Sequence, residues 1–218
     1  MNWKLVVNFC VTVLLALMLS GGVLAQESKP ISLPQPQLDG GKPLMQVLKA
    51  RKTSREFSDQ KISEQVLSNL LWAAFGINRP DSGRRTAPSS FNRQEMDVYV
   101  AAPEGLFLYD AKEHSLKPIL STDIRAQTGR QNTAKEAAMN LVYVADLAKM
   151  GDAPEAEKIP TAWADAAFIC QNVYLFCASE GLATGVRAAI DRDALAKTMK
   201  LRPDQRITLA QHIGYPKK

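Results

Sequence analysis

Histidine and cysteine are nearly absent from this chain, with two of the first and three of the second in 218 residues. Neither His114 nor His212 has a Cys, His or carboxylate at metal-ligand spacing, which argues against a metal centre. No Gly-x-Ser-x-Gly turn and no Cys–His signature presents a nucleophile. The 12 glycines form neither a Walker loop nor a dinucleotide fingerprint. Side-chain hydrolysis and nucleotide-triphosphate chemistry therefore have no visible machinery. Aromatics make up 7% of the chain, and the net charge of +5 is spread without a basic helix face beside stacking rings. That pattern argues against nucleic acid as a partner. Cys170 and Cys177 lie seven apart on an expected helix. About 10 Å then separates their Cα atoms, beyond the ~7 Å a disulfide tolerates. They read as small buried apolar side chains.

What is present begins with an export signal. Lys4 precedes an apolar run from Leu5 to Leu19, and Gly21-Gly22-Val23-Leu24-Ala25 offers the small residues a signal peptidase reads. The expectation is a signal peptide over 1–25, cleaved after Ala25, and an exported protein, periplasmic or extracellular, without stable membrane insertion. Cys10 lies inside the apolar run rather than at its end, which argues against a lipid anchor. Cleavage removes one Lys and no acid, taking the formal charge from +5 to +4. About 190 residues remain, enough for one domain.

Residues 26–42, with Pro30, Pro34 and Pro36, read as an extended leader, and the domain as 43–218. Pro43 opens a helix to Ala50. Ser63 caps a second, with Val66, Leu67, Leu70, Leu71 and Ala74 at helical spacing and Gly76 closing it. Residues 77–93 read as a long loop. Asp97–Ala102 and Leu106–Tyr109 predict a hairpin, Leu116–Leu120 a third strand, and 122–138 a helix. Leu141–Ala145 is an apolar strand, 149–160 a loop, and Ala162–Glu180 a buried helix ending at Gly181. A strand over 183–189, a helix capped by Asp191 and a strand over 206–213 complete an α+β pattern.

The chemistry-bearing segment is Arg51-Lys-Thr-Ser-Arg-Glu-Phe57. Two guanidiniums, an ammonium and two hydroxyls within five residues suit a phosphate, which Arg grips bidentately. Ala87-Pro-Ser-Ser-Phe-Asn92 adds a hydroxyl- and amide-rich turn suited to a planar polar ring. Together they suggest a phosphorylated aromatic cofactor, best matched by flavin mononucleotide (FMN). Such a cofactor performs its own redox chemistry and needs no protein nucleophile.

RKTSREF with a capped helix, LLWAAFGI, GRRTAPSSFN, YLFCASEGLATG and a closing GYP, in that order, resemble the FMN-dependent nitroreductase family. The resemblance is nearest to its azoline (thiazole/oxazole) dehydrogenase branch and covers roughly 43–216. It implies a mixed, mainly antiparallel sheet wrapped by helices, an interlocked homodimer, and ping-pong hydride transfer through flavin N5 to a small-molecule redox substrate. It also implies site roles. Arg51 and Thr53, with Lys52 between them, match the phosphate-binding pair. Arg55 matches the basic residue at the flavin N1–C2 carbonyl edge. Pro88, Ser89, Ser90 and Asn92 match the loop that reaches the flavin from the other subunit. Gln131 matches an amide at the ribityl chain or ring. Thr184 and Gly185 match the turn whose backbone N–H faces N5, and Lys217 and Lys218 fall where a basic residue completes the phosphate site. Gln94 is followed by Glu95 and Met96 where many members continue into Pro-Trp, and the chain stops two lysines after Gly-Tyr-Pro. Export also removes the protein from nicotinamide donors. Two other readings share these residues: a non-catalytic exported module binding flavin or another small ligand, and azoline-type dehydrogenation of a peptide.

Overall fold

The computed structural model describes residues 29–217. The expected signal segment and Lys218 lie outside the described residues. Strand β1 (Ile31–Ser32) is followed by helices α1 (Leu44–Ala50) and α2 (Glu64–Phe75). A small ribbon comes next, β2 (Ile77–Arg79) and β3 (Arg84–Arg85). Then come β4 (Met96–Ala102), β5 (Gly105–Asp110), β6 (Ser115–Leu120), the single-turn α3 (Thr133–Glu136) and β7 (Met139–Asp146). Helix α4 (Glu155–Glu180), β8 (Ala183–Arg187), α5 (Arg192–Thr198) and β9 (Gln205–Gly214) complete the chain.

Seven strands form one sheet in the order β1-β6-β5-β4-β7-β9-β8. Every pairing in it is antiparallel. Strand β7 sits in the middle and is buried along its whole length. Its alternation feeds two cores, because successive strand residues face opposite sides. Leu141, Tyr143 and Ala145 pack with α2 and α4 on one face. Val142 and Val144 pack with Ile190, Leu195 and Met199 around α5 on the other. A continuous apolar run is what a strand covered on both faces requires.

Local signals act as their chemistry dictates. Ser63 Oγ accepts the Val66 N–H at the start of α2. Asp191 caps α5 through the Ala194 N–H. Gly181 ends α4 at φ 73°, the left-handed conformation glycine tolerates best. Cys170 and Cys177 are free and buried in α4. Burial raises the Cys170 thiol to a pKa of about 12, so it stays protonated and unreactive.

Three expectations are corrected. Residues 26–42 are extended but not detached in their described part. Ile31 pairs with Leu116 at the sheet edge, Leu33 is buried, and Ser68 Oγ donates to the Pro34 carbonyl. The stretch 122–138 is not one helix: a 3₁₀ turn over Arg125–Thr128 and α3 are separated by Gly129, whose backbone is extended. Helix α4 begins at Glu155, inside the expected loop, and carries Pro160. The missing N–H costs only one bond near a helix start whose residues are mostly exposed, leaving the freed carbonyl open to solvent.

Candidate active site

The segment after α1 runs extended, and it alternates as a strand would. Arg51 stacks its guanidinium over the Tyr174 ring at 5.3 Å. Thr53 Oγ1 hydrogen-bonds the Tyr174 hydroxyl at 2.9 Å, and that hydroxyl accepts the Val186 N–H at 3.0 Å. Arg55 lines a cleft of ≈ 150 Å³ with Gln131 and Val186–Ala189. Lys52, Ser54 and Glu56 line a different cleft of ≈ 290 Å³, which Lys217 and Thr184 also border. The segment is fastened to the sheet edge, where the Ser54 N–H donates to the Thr184 carbonyl at 2.9 Å. Phe57 bridges to Pro216, and the Lys217 N–H donates to the Glu56 carbonyl.

Beneath this segment lies a pair that sequence reasoning missed. Arg187 Nε donates to His212 Nδ1 at 2.8 Å. That bond fixes the tautomer: the ring proton is on Nε2, which donates to the Ser54 carbonyl at 2.8 Å. Gly185 is the direct cross-strand partner of His212, and a Cβ there would lie 2.6 Å from His212 Nε2 and 2.9 Å from Thr53 Cγ2. Glycine is thus what lets the imidazole lie across the strand. Burial, reinforced by Arg187 and Arg55, lowers the His212 pKa to about 4, keeping the ring neutral.

Arg187 is 6% exposed, yet no carboxylate lies within ion-pair distance of it among the described residues. Its Nη2 donates to Thr133 Oγ1 at 2.8 Å, and its buried Nη1 has no partner. Burial and nearby Arg55 lower its pKa to about 10, still well above neutrality. A buried unpaired cation is costly, and the usual compensation is an anion. The signal was in the sequence: Arg187 interrupts the apolar stretch Ala183–Ile190, and His212 interrupts the closing strand. A charged residue inside a buried strand needs a reason.

The structure therefore brings Arg51, Thr53, Arg55 and Gln131 to one edge, with Thr184 and Gly185 beside them. Thr184 and Gly185 lie within β8 rather than in a turn, and Gly185's open side is taken by His212 and Thr53. The main chain bordering the Arg55 cleft is Val186–Ala189, just downstream. Lys52 and Lys217 share the neighbouring cleft instead.

Pro88, Ser89, Ser90 and Asn92 stand apart within one chain. The Ser90 N–H donates to Asp165 Oδ2 at 2.9 Å, and Ser89 Oγ accepts the Gln94 N–H at 3.0 Å. Asp165 and Tyr174 are nine residues apart on α4, about 13 Å along its axis. Between Ser90 and Asn92, Phe91 is left-handed at φ 52° and 88% exposed. A second missed feature sits here. Glu95 is fully buried, its carboxyl faces that of Asp165, and no N–H or hydroxyl donates to either of its oxygens. Burial, with added repulsion from Asp165, raises its pKa to about 7.

These residues lie in a chain that matches the Nitroreductase family over residues 48–215, and the protein belongs to that family. A protein of Methanocaldococcus jannaschii named "Putative nitroreductase" is 24% identical over 174 residues, spanning 73% of this chain and 85% of its own. A crystal structure of a "putative nitroreductase" from Ralstonia eutropha JMP134 superimposes with a TM-score of 0.84 at 39% identity, covering 89% of this chain and 93% of the other. A chain of the Escherichia coli microcin synthetase McbBCD complex shares the fold at a TM-score of 0.67 and 21% identity, over 91% and 84% of the two chains. The α+β nitroreductase-like fold is thus met, in the mainly antiparallel form expected.

Proposed function

We propose that this protein is an exported, homodimeric, FMN-dependent oxidoreductase that passes reducing equivalents to a small organic acceptor. Family membership supports the oxidoreductase class. The observation that carries the cofactor is the uncompensated cationic edge. Arg55, Gln131 and Arg187 border one cleft, Arg51 and Thr53 lie beside it on Tyr174, and Arg187 Nη1 is buried against Gly129 without an acceptor. This donor set fits an anionic, oxygen-rich group with a polar ring, and FMN has both. Arg51 and Thr53 would hold the phosphate, with Thr53 oriented by Tyr174, and Arg55 and Gln131 would serve the ring's polar edge. When bound, FMN supplies two-electron redox chemistry. The exchange would follow a ping-pong order, with an electron donor and a small organic acceptor occupying the site in turn. No side chain acts as nucleophile; the cations set the field in which charge develops.

Two further observations support an interlocked dimer. The Ser89–Asn92 loop and the Arg51–Arg55 segment do not meet within one chain, and large apolar side chains face outward near both. Met45 is 76% exposed, Leu44 and Leu48 flank it on α1, and Phe91 and Phe168 are exposed along the α4 side. Unpartnered apolar surface of this kind marks an interface. Sedimentation of the mature chain should show a dimer that Met45→Glu with Phe168→Glu splits.

The deciding experiment is a visible spectrum of purified residues 26–218 after adding FMN and removing excess. Stoichiometric yellow flavin is expected. A colourless protein with no absorbance shift refutes the reading.

A further inference from the structure

We infer that Arg187 is a second positive group for the cofactor's reduced ring, held in place by His212 and acting beside Arg55 to bias the site toward the reduced state. This rests on the FMN reading above. Three facts of geometry carry it. Arg187 is the most deeply buried cation at this edge, and it borders the same cleft as Arg55 and Gln131. Its fork is aimed by two acceptors, His212 Nδ1 and Thr133 Oγ1, which leaves Nη1 without a protein partner. Two positions are surrendered to make room for the arrangement. Gly129 lacks the Cβ that would lie 2.7 Å from Arg187 Nη1, and Gly185 lacks the one that would strike His212.

The chemistry follows from charge accounting. The oxidised isoalloxazine ring is neutral, and the reduced ring, after taking up two electrons and one proton, carries a negative charge along its N1–C2 carbonyl edge. A fixed guanidinium binds the second form better than the first, and only such a difference moves the equilibrium. The desolvated setting strengthens the effect, because charge interactions grow as water is excluded. Arg55 is exposed, so water screens its contribution more than that of Arg187. Neutral His212 is the positioning residue. It accepts from Arg187 and donates to the Ser54 carbonyl, so it registers the Arg51–Arg55 segment against the buried guanidinium.

The test is the ratio of oxidised to reduced FMN affinity in Arg187→Gln and Arg187→Met, measured as the midpoint potential of bound flavin. Arg187→Gln keeps an N–H for His212 and removes the charge, so it guards against a folding failure in the Met variant. Loss of the charge should weaken reduced FMN about tenfold more than oxidised FMN, lowering the two-electron potential by about 30 mV. Arg187→Lys should recover at least half of that shift. Variants that bind FMN and keep the wild-type potential overturn the inference while leaving the cofactor reading intact. A potential lowered equally in the Gln and Lys variants also overturns it, since that points to packing rather than charge. A wild-type protein that takes up no FMN overturns both. Free phosphate or sulfate, added without flavin, should protect the wild type no better than Arg187→Gln in thermal melts. Selective protection of the wild type would assign Arg187 to a small oxyanion and contradict the ring-edge role.

Discussion

The two ends of helix α4 solve opposite electrostatic problems. Near Tyr174, the chain gathers Arg51, Arg55 and Arg187 with no carboxylate at ion-pair distance among the described residues, and Glu136 acts on Arg187 only at longer range. Near Asp165, it buries Glu95 with no N–H or hydroxyl donating to its carboxyl oxygens. A carboxyl can shed its charge by taking up a proton, and burial beside Asp165 raises the Glu95 pKa to about 7, so it does so below neutral pH. A guanidinium cannot, since its pKa stays near 10 even here. The acidic end can thus discharge itself by protonation, whereas the cationic end can be neutralised only by an anion. That difference, rather than the count of charges, is the reason for proposing the Tyr174 end as the site.

The largest expected break in this comparison is Arg51→Met with Arg55→Met. Two charge-assisted contacts of about 1.5–3 kcal/mol each should be lost, weakening FMN binding by roughly a hundredfold or more in a fluorescence titration. Stoichiometric flavin retained by the double variant would place the cofactor elsewhere.

Stability against pH separates the two ends next. Folding raises the Glu95 pKa from 4.5 to about 7, so the folded state binds more protons than the unfolded one between those values. Its contribution is best below about 4.5 and falls as pH rises through about 7, by an amount of order 3 kcal/mol. Folding lowers His212 from 6.5 to about 4, so its contribution is full above 6.5 and fades as pH drops toward 4, by a similar amount. In urea titrations across pH, Glu95→Gln should remove the decline toward neutral pH, and His212→Asn the loss toward acid. A Glu95→Gln protein that still loses stability between pH 5 and 7.5 would contradict the assignment of that decline to Glu95.

The smallest effect sharpens the cationic end alone. Thr53→Val removes one hydroxyl and its bond to Tyr174. FMN should bind about tenfold more weakly, with the flavin spectrum unchanged, in line with one lost hydrogen bond of about 1 kcal/mol or slightly more. An unaltered affinity would remove Thr53 from the phosphate contacts.

Much of this was legible from residue pattern. Ser63, Gly181 and Asp191 act locally through caps and conformation, so the helices they bound could be read without the fold. The strand around Leu141 was readable because burial on both faces demands an unbroken apolar run. Arg51, Thr53 and Arg55 were read by their chemistry and Gln131 through the family resemblance; Arg51 and Thr53 lie against Tyr174, and Arg55 and Gln131 border one cleft. The failures share a cause, which is dependence on distant partners. Gly129 breaks the expected 122–138 helix to make room for Arg187, 58 positions away in the chain. Pro160 disguised the start of α4, though at that exposed turn proline costs one bond. Arg187 and His212 carry no local motif, and their meaning appears only when β8 pairs with β9. Glu95 likewise was visible as a departure after Gln94, but its burial against Asp165 depends on α4 lying alongside.

The central claim is that the Tyr174 end grips a phosphate ester through fixed guanidiniums and a hydroxyl. Equilibrium binding of FMN and riboflavin to the same purified protein compares ligands that differ only in that ester. The account predicts FMN to bind at least about a hundredfold tighter, with the gap shrinking as salt is raised. Equal affinity for the two, or none for either, would contradict it.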